Sequence, residues 1–235
     1  MPPLWLRRHA GRIPAFAASA RDCRVQLEAW NVLPSRSIVD VGCGPGAMAL
    51  ALQDRLASSA RYLGIDVHEP SIDWCRRAFA GDPRFRFETA SVASPYGRGS
   101  LPPAIYAFPL PDGTADLVIA KSLFTHLTPG DAERYLGEIR RVLAEDGAAL
   151  VTAFLFSSEM PPAFPFGDDR FRWRVKHRIA AAVAFSEVAF RSMIDHADLR
   201  VEKSVFGFLP GRAPKPTGQD VLLLRKNPAP SVAPK

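Results

Sequence analysis

Short apolar runs alternate with helical stripes along most of this chain. The runs 37–41, 62–66 and 115–120 are rich in aliphatic residues, which is typical of strands inside a parallel sheet. Apolar residues recur at helical spacing over 47–56 and 70–79, after the first and second runs. Strands that alternate with helices in this way predict a parallel sheet covered on both faces.

The segment after the third of these runs carries signals for a helix and a further strand. Thr128 can cap the helix, Pro129 suits its first turn, and Asp131 favours the positive end of its dipole. Gly147 is expected to end this helix. A further strand is expected over 85–89, which makes 115–120 the fourth strand in chain order. A fifth strand is expected over 148–156.

The C-terminal part breaks this alternation. Residues 186–196 have the pattern of a helix, whereas 199–208 and 220–226 have the pattern of strands. The connection 209–219 is rich in Pro and Gly and too short for a right-handed parallel crossover. We therefore predict that the last two strands form an antiparallel hairpin at the edge of the sheet.

We expect a single main domain in this chain of 235 residues. Residues 1–35 are predicted to be a helical lead-in and 36–226 the main domain. The insert 157–184 departs from the repeating pattern and is a candidate cap over a substrate. The proline-containing tail 227–235 is expected to be disordered.

The composition is that of an ordinary globular protein, with 47% hydrophobic and 23% charged residues. The apolar run after the N-terminal arginines is too short and broken for a secretory signal, and no stretch approaches the roughly 20 apolar residues of a membrane span. We predict a cytoplasmic protein. The cysteines lack the spacing of zinc ligands or of a disulfide scaffold, so no metal is expected.

The net charge of +6 suits a nucleic-acid partner or an acidic substrate. No nucleic-acid-binding motif accompanies it, so nucleic acid is not the expected partner. Arginine and lysine alternate with apolar residues over 170–178, which predicts a strand with one basic face. That face would bind an anionic acceptor, or it would be a solvated edge that discourages sheet pairing.

The most informative segment is the glycine-rich turn between the first strand and its helix. Glycine permits turns that a Cβ forbids and lets the backbone approach a ligand closely. Asp66 ends the neighbouring strand, and adjacent parallel strands present their C-terminal ends to one crevice where nucleotides bind. The candidate binding residues in the turn are Asp40, Gly42, Cys43, Gly44 and Gly46.

Here the sequence resembles the class I S-adenosylmethionine-dependent methyltransferase family over about residues 36–156. The matching stretches are Asp40–Gly46, Asp66, Phe108–Asp112, Ala115–Ile119 and Tyr135–Leu143 followed by Gly147. The resemblance implies a Rossmann-like α/β fold, with a mostly parallel seven-stranded sheet, helices on both faces and a C-terminal antiparallel hairpin. It also implies S-adenosylmethionine as cofactor and S-adenosylhomocysteine as product.

The resemblance further implies roles for individual residues. The glycines shape the loop around the methionine part of the cofactor, Asp66 accepts hydrogen bonds from the ribose hydroxyls, and Asp40 helps to place the amino group. Ionised carboxylates suit both tasks because charge-assisted hydrogen bonds are roughly twice as strong as neutral ones. The remaining residues assigned to the cofactor are Val67, Lys121, and Ser91 with Val92 at the adenine edge, where many relatives carry an aspartate.

His126 follows the fourth strand, in a turn that lies under the sulfonium in the resembling family. As a general base it would take a proton from an acceptor hydroxyl or amine, which the pKa range of histidine permits. As a structural residue it would pack beneath the cofactor. Both interpretations stay open from the sequence.

We therefore predict a methyltransferase that acts on a small-molecule acceptor, as a monomer or homodimer. Oxygen is favoured over nitrogen, with a sugar or glycan precursor among the options and an anionic acceptor kept open. One alternative is an NAD(P)-dependent oxidoreductase, because Gly42-x-Gly44-x-x-Ala47 also fits a looser dinucleotide fingerprint. The other is a non-catalytic partner protein that binds S-adenosylmethionine.

Overall fold

The computed structural model describes residues 1–7, 15–157, 163–207 and 218–228. The strands, in chain order, are β1 Ser37–Val41, β2 Arg61–Asp66, β3 Phe85–Thr89, β4 Ala115–Ala120, β5 Leu143–Ala153, β6 Leu155–Phe156, β7 Phe166–Gly167, β8 Phe171–Trp173, β9 Val183–Ser186, β10 Leu199–Val205 and β11 Asp220–Lys226. The helices are α1 Leu4–Arg7, α2 Ala15–Ala29, α3 Ala47–Leu52, α4 Glu69–Ala78, α5 Pro129–Val142 and α6 Glu187–His196.

A seven-stranded sheet in the order β10-β11-β5-β4-β1-β2-β3 forms the centre of the fold. β1 pairs in parallel with β2 and β4, and the pairs β2–β3 and β4–β5 are also parallel. β11 runs antiparallel to both β5 and β10. The Rossmann-like α/β fold and the C-terminal hairpin predicted from the sequence are therefore confirmed.

The sheet is apolar on both faces, as a doubly covered parallel sheet requires. Ile38 of β1 packs into a core with α2, α3 and α4, whereas Val39 and Val41 face the core that α5 and α6 complete. Leu27 of α2 and Ile139 of α5 are fully buried in these two cores. Successive side chains of β1 thus lie in the two apolar cores on opposite faces of the sheet.

The start of α5 is as predicted, but its end is not. Thr128 caps the helix by accepting a hydrogen bond from the Asp131 amide at 3.4 Å. The helix ends at Val142 and the chain turns directly into β5, so the expectation that Gly147 ends it is wrong. A Cβ at Gly147 would lie 2.7 Å from the Ala115 carbonyl oxygen, so the close approach to β4 explains this glycine.

The insert after β5 forms a second, four-stranded sheet in the order β6-β9-β8-β7. The strand expected over 170–178 is limited to β8, which pairs antiparallel with β7 and β9. The expected fifth strand over 148–156 is divided between β5 and β6, which belong to different sheets. This small sheet lies at the carboxyl end of β5, where the parallel strands of the main sheet also end.

Among the residues with described positions, no helix is long and apolar enough to cross a membrane. The cytoplasmic location and the domain boundaries stay predictions. The tail 229–235 and most of the connection 209–219 lie outside the described residues.

Candidate functional site

The glycine turn after β1 is held in an unusual backbone conformation. Gly42, Gly44 and Gly46 have φ angles of 76°, 51° and 77°, in the left-handed region that side chains disfavour. The amides of Gly42 and Cys43 donate to the Ile65 carbonyl at 2.8 and 3.1 Å. β2 thereby fixes the start of the turn. The space beside Gly44 is open, since no heavy atom of the described residues lies within 4 Å of a Cβ built there.

Asp66 ties the glycine turn to the end of β2. Its two carboxylate oxygens accept from the backbone amides of Gly44 and His68, both at 2.7 Å. Burial raises the pKa of Asp66, and the hydrogen bonds from the two amides oppose that rise. Each oxygen keeps a second lone pair for a ligand hydroxyl.

Asp40 is the buried acid of the pair, with only 1% of its surface exposed. The Tyr62 hydroxyl, from the neighbouring strand β2, donates to one of its carboxylate oxygens. Burial raises the pKa of Asp40 to about 7, although this hydrogen bond and the charge of Lys121 lower it. Sequence reasoning did not identify Tyr62, because its partner becomes apparent only once the register of β1 and β2 is known.

These groups border a cavity of about 560 Å³, which is within the usual range for ligand pockets. Most of the residues assigned to the site from the sequence meet at its wall. They are Asp40, Gly42, Cys43, Gly44, Asp66, Val67, Val92, Lys121 and His126.

Gly46 and Ser91 do not line this cavity. Gly46 is the N-cap residue before α3, and a Cβ there would lie 3.0 Å from the Cys75 sulfur of α4, so packing and the left-handed φ together explain this glycine. Ser91 is exposed, and its carbonyl accepts from the Leu101 amide at 3.0 Å. The neighbouring Val92, which pairs with Leu101, is the residue that reaches the cavity.

The turn after β4 contains a feature that the sequence does not reveal. Ser122 has a φ of 59°, which is rare for a residue with a side chain and is found most often at functional sites. Its amide donates to the Thr152 hydroxyl at 2.7 Å, and that hydroxyl donates to the Gln219 side chain at 2.6 Å. Thr152 of β5 and Gln219, which precedes β11, thus hold this turn at the cavity wall.

His126 lines the same cavity as the glycine turn and lies in a short 3-10 turn over Phe124–His126. Its Nδ1 is 2.8 Å from the Ala180 carbonyl oxygen and 3.2 Å from the Tyr96 hydroxyl. A carbonyl accepts only, so this contact favours the tautomer with the proton on Nδ1 and the lone pair on Nε2. Burial lowers the pKa of His126, so the neutral ring is favoured.

The basic segment of the insert does not present one continuous basic face. Arg172 is buried, and its guanidinium donates to the carbonyls of Phe164, Pro165 and Asp168 at 2.7, 2.9 and 3.2 Å. Arg170 and Arg174 are both exposed, and of the two only Arg174 lines the cavity. The predicted common face is therefore wrong, because Arg172 turns inward to satisfy carbonyls of the insert.

The chain is similar to known methyltransferases. Residues 38–147 match the model of a methyltransferase domain. A demethylmenaquinone methyltransferase from Thermus thermophilus is 31% identical over 157 residues, which cover 66% of this chain and 62% of that protein. A malonyl-acyl-carrier protein O-methyltransferase from Geobacter sulfurreducens is 38% identical over 121 residues, covering 52% of this chain and 39% of that protein.

The chain thus spans less than two thirds of the length of these curated relatives. A solved structure with a similar fold is the 1,6-didemethyltoxoflavin-N1-methyltransferase of Burkholderia thailandensis, bound to 1,6-didemethyltoxoflavin and S-adenosylhomocysteine. It has a TM-score of 0.64 and 20% identity, with 94% of this chain and 84% of that chain covered. Residues 38–147, which match the methyltransferase-domain model, include the glycine turn, Asp40, Asp66 and His126.

Proposed function

Because this chain belongs to the class I S-adenosylmethionine-dependent methyltransferase family, we propose that it transfers a methyl group from S-adenosylmethionine to a small-molecule acceptor. The main support for this proposal is that the left-handed glycine turn, Asp40 and Asp66 all line one cavity. An oxygen acceptor is favoured, and the name of the Geobacter relative supports that preference. A sugar or glycan precursor stays among the acceptor classes.

The cofactor half of the site is the part formed by the glycine turn and the ends of β1 and β2. There, Asp66 is proposed to accept hydrogen bonds from the ribose hydroxyls with the lone pairs left by the two backbone amides. Asp40, ionised beside the Tyr62 hydroxyl, is proposed to bind the amino group. The open space at Gly44 would accept the methionine part, with Lys121 beside it and Val67 and Val92 at the adenine edge.

The acceptor half is the wall formed by the segment around Tyr96, the turn with His126, and the insert. Bound S-adenosylmethionine supplies an electrophilic methyl group whose transfer leaves a neutral thioether. An acceptor hydroxyl must lose its proton in this reaction, and we assign that proton to Nε2 of His126. The Ala180 carbonyl supports this role because it holds the Nδ1 proton and orients the ring.

Calorimetry with S-adenosylmethionine, S-adenosylhomocysteine and NADH tests the cofactor directly. We expect both sulfur nucleosides to bind and NADH to give no heat, because the chain belongs to a family that uses the sulfonium cofactor. Binding of NADH alone would favour the oxidoreductase alternative and overturn the proposal. Absence of any binding at millimolar concentration would overturn it as well.

The second step of the test distinguishes an enzyme from a protein that only binds the cofactor. Release of S-adenosylhomocysteine is measured by mass spectrometry after incubation with a panel of hydroxyl, amine and thiol acceptors. Turnover on a hydroxyl acceptor, with methylation located on oxygen, is the expected result. Turnover confined to amines would contradict the oxygen preference, and cofactor binding without turnover on any acceptor would favour the non-catalytic alternative.

A further inference from the structure

Arg174 belongs to the part of the insert that lines the cavity, and it has no role in the proposed function. Arg174 follows β8, and its backbone amide donates to the Ala182 carbonyl at 3.0 Å. This bond continues the antiparallel pairing of β8 with β9, so the backbone at Arg174 is fixed. Ala182 also lines the cavity, and the arginine is therefore anchored at its rim.

The side chain of Arg174 rests on an aromatic pair. Its guanidinium carbon lies 5.0 Å from the centre of the Phe164 ring, which is the distance of a cation–π contact. Phe164 is fully buried and packs against Phe154 with ring centres 5.3 Å apart. Since Phe154 itself lines the cavity, the pair holds the guanidinium beside the acceptor space and limits its rotamer freedom.

The charge of Arg174 is not neutralised by the described part of the chain. Its guanidinium has no hydrogen bond or ion pair to any residue whose position the structure describes, in contrast to that of Arg172. The carboxylates that line the cavity already accept hydrogen bonds. Asp40 accepts from Tyr62, Asp66 from two backbone amides, and Asp131 from the Thr128 hydroxyl at 2.7 Å.

We propose that Arg174 binds an anionic group of the acceptor, a carboxylate or a phosphate, and so selects negatively charged acceptors. The inference rests on the proposed function and narrows its acceptor class. A planar guanidinium presents two parallel donors that match the oxygens of a carboxylate or phosphate. The contact with Phe164 is a cation–π contact and not a hydrogen bond, so it uses none of the guanidinium N–H donors.

Matched pairs of small probes test the charge preference without knowledge of the natural acceptor. The protein is first saturated with S-adenosylhomocysteine, and benzoate is then compared with benzamide, and phenyl phosphate with phenol, by calorimetry. We expect each anion to bind roughly tenfold or more tightly than its neutral partner, the scale of a hydrogen bond to a charged group. Equal or weaker binding of both anions would overturn the inference.

Two arginine variants locate the effect. Arg174→Gln should bring the affinity for each anion down to that of its neutral partner, while S-adenosylhomocysteine binds as before. Arg170→Gln is the matched control, because it removes the same charge from the same segment outside the cavity wall. Unchanged anion binding in Arg174→Gln, or the same loss in Arg170→Gln, would overturn the role of Arg174.

The two proposals fail in different ways. If the unaltered protein binds no S-adenosylhomocysteine, the proposed function fails and the inference with it. If the cofactor binds and catalysis occurs on neutral acceptors alone, only the inference about Arg174 fails.

Discussion

The two halves of the cavity are assembled over different distances along the chain. In the cofactor half, the hydrogen bonds from Gly44 to Asp66 and from Tyr62 to Asp40 each join residues 22 positions apart. In the acceptor half, His126 reaches Ala180 over 54 positions and Tyr96 reaches Ala180 over 84. These hydrogen bonds of the first half thus lie within one strand–helix–strand unit, whereas those of the second depend on an insert that folds back from beyond β5.

The halves also differ in the atoms that hold them. In the cofactor half, backbone conformation and backbone amides hold the glycine turn and Asp66, and the Tyr62 hydroxyl holds Asp40. In the acceptor half, the side chains of His126 and Tyr96 contact the Ala180 carbonyl of the insert. We therefore expect substitutions in the cofactor half to change cofactor affinity, and substitutions in the acceptor half to change turnover or local stability at constant cofactor affinity.

The largest expected effect belongs to the proposed base. His126→Gln should lower kcat by about 10²- to 10⁴-fold, since general-base catalysis contributes on that scale. The Kd for S-adenosylhomocysteine, measured by calorimetry, should not change. His196→Gln is the control, because His196 is exposed at the end of α6. Turnover equal to that of the unaltered protein would assign His126 a structural role.

The next effect concerns the cofactor half. Asp66→Ala should weaken S-adenosylhomocysteine binding by about 1–3 kcal/mol, the scale of lost hydrogen bonds to a charged group. It also removes the acceptor of the Gly44 amide. Asp73→Ala serves as control, since Asp73 of α4 makes a half-exposed ion pair with Arg76 outside the cavity wall. An unchanged Kd in Asp66→Ala would remove Asp66 from the site.

We expect the small sheet of the insert to unfold locally without affecting the cofactor half. Arg172→Met leaves the carbonyls of Phe164, Pro165 and Asp168 without their buried donor, which should weaken the small sheet by about 1–2 kcal/mol. Hydrogen exchange should accelerate in β8 and β9 while cofactor affinity stays the same. Faster exchange in β1 and β2 to the same extent would show that the two halves unfold together.

The smallest effect is a change in pH dependence. With the pKa of Asp40 near 7 in the protein without ligand, protonation removes its charge as the pH falls, so affinity for the cofactor should decline below about pH 7. The Tyr62 hydroxyl lowers this pKa, so Tyr62→Phe should move the midpoint of the decline to higher pH and cost less than about 1 kcal/mol at neutral pH.

The pH profile of the Kd, measured by calorimetry, checks this shift. Asp40→Asn should flatten the profile, because the titrating group is gone. A midpoint that moves down in Tyr62→Phe, or a decline that persists in Asp40→Asn, would contradict the assignment.

The contrast between the halves also explains what the sequence could predict. β1, β4 and the start of α5 follow from local patterns, since an apolar run and a capping threonine act within a few residues. The glycine turn was predicted for the same reason, and Asp66 was placed beside it because adjacent parallel strands present their C-terminal ends to one crevice. Gly147 was misassigned because a contact with Ala115 on another strand, and not its local sequence, requires a glycine there.

The acceptor half was less predictable because its contacts cross the chain. The alternation of basic residues over 170–178 gave no sign that Arg172 is buried and that Arg174 lines the cavity. The left-handed conformation of Ser122 likewise depends on Thr152 and Gln219, which lie far away in sequence. Such features need the tertiary structure.

The hydrogen bond between His126 and the Ala180 carbonyl has a consequence for evolution and engineering. The same backbone segment lines the cavity and favours one tautomer of the imidazole. If His126 is the base as proposed, exchanging this loop between homologues should alter proton transfer together with substrate choice. Variants whose new loop provides a carbonyl at this point should retain methyl transfer. Variants whose new loop leaves the imidazole without this hydrogen bond should methylate only acceptors acidic enough to react without a base.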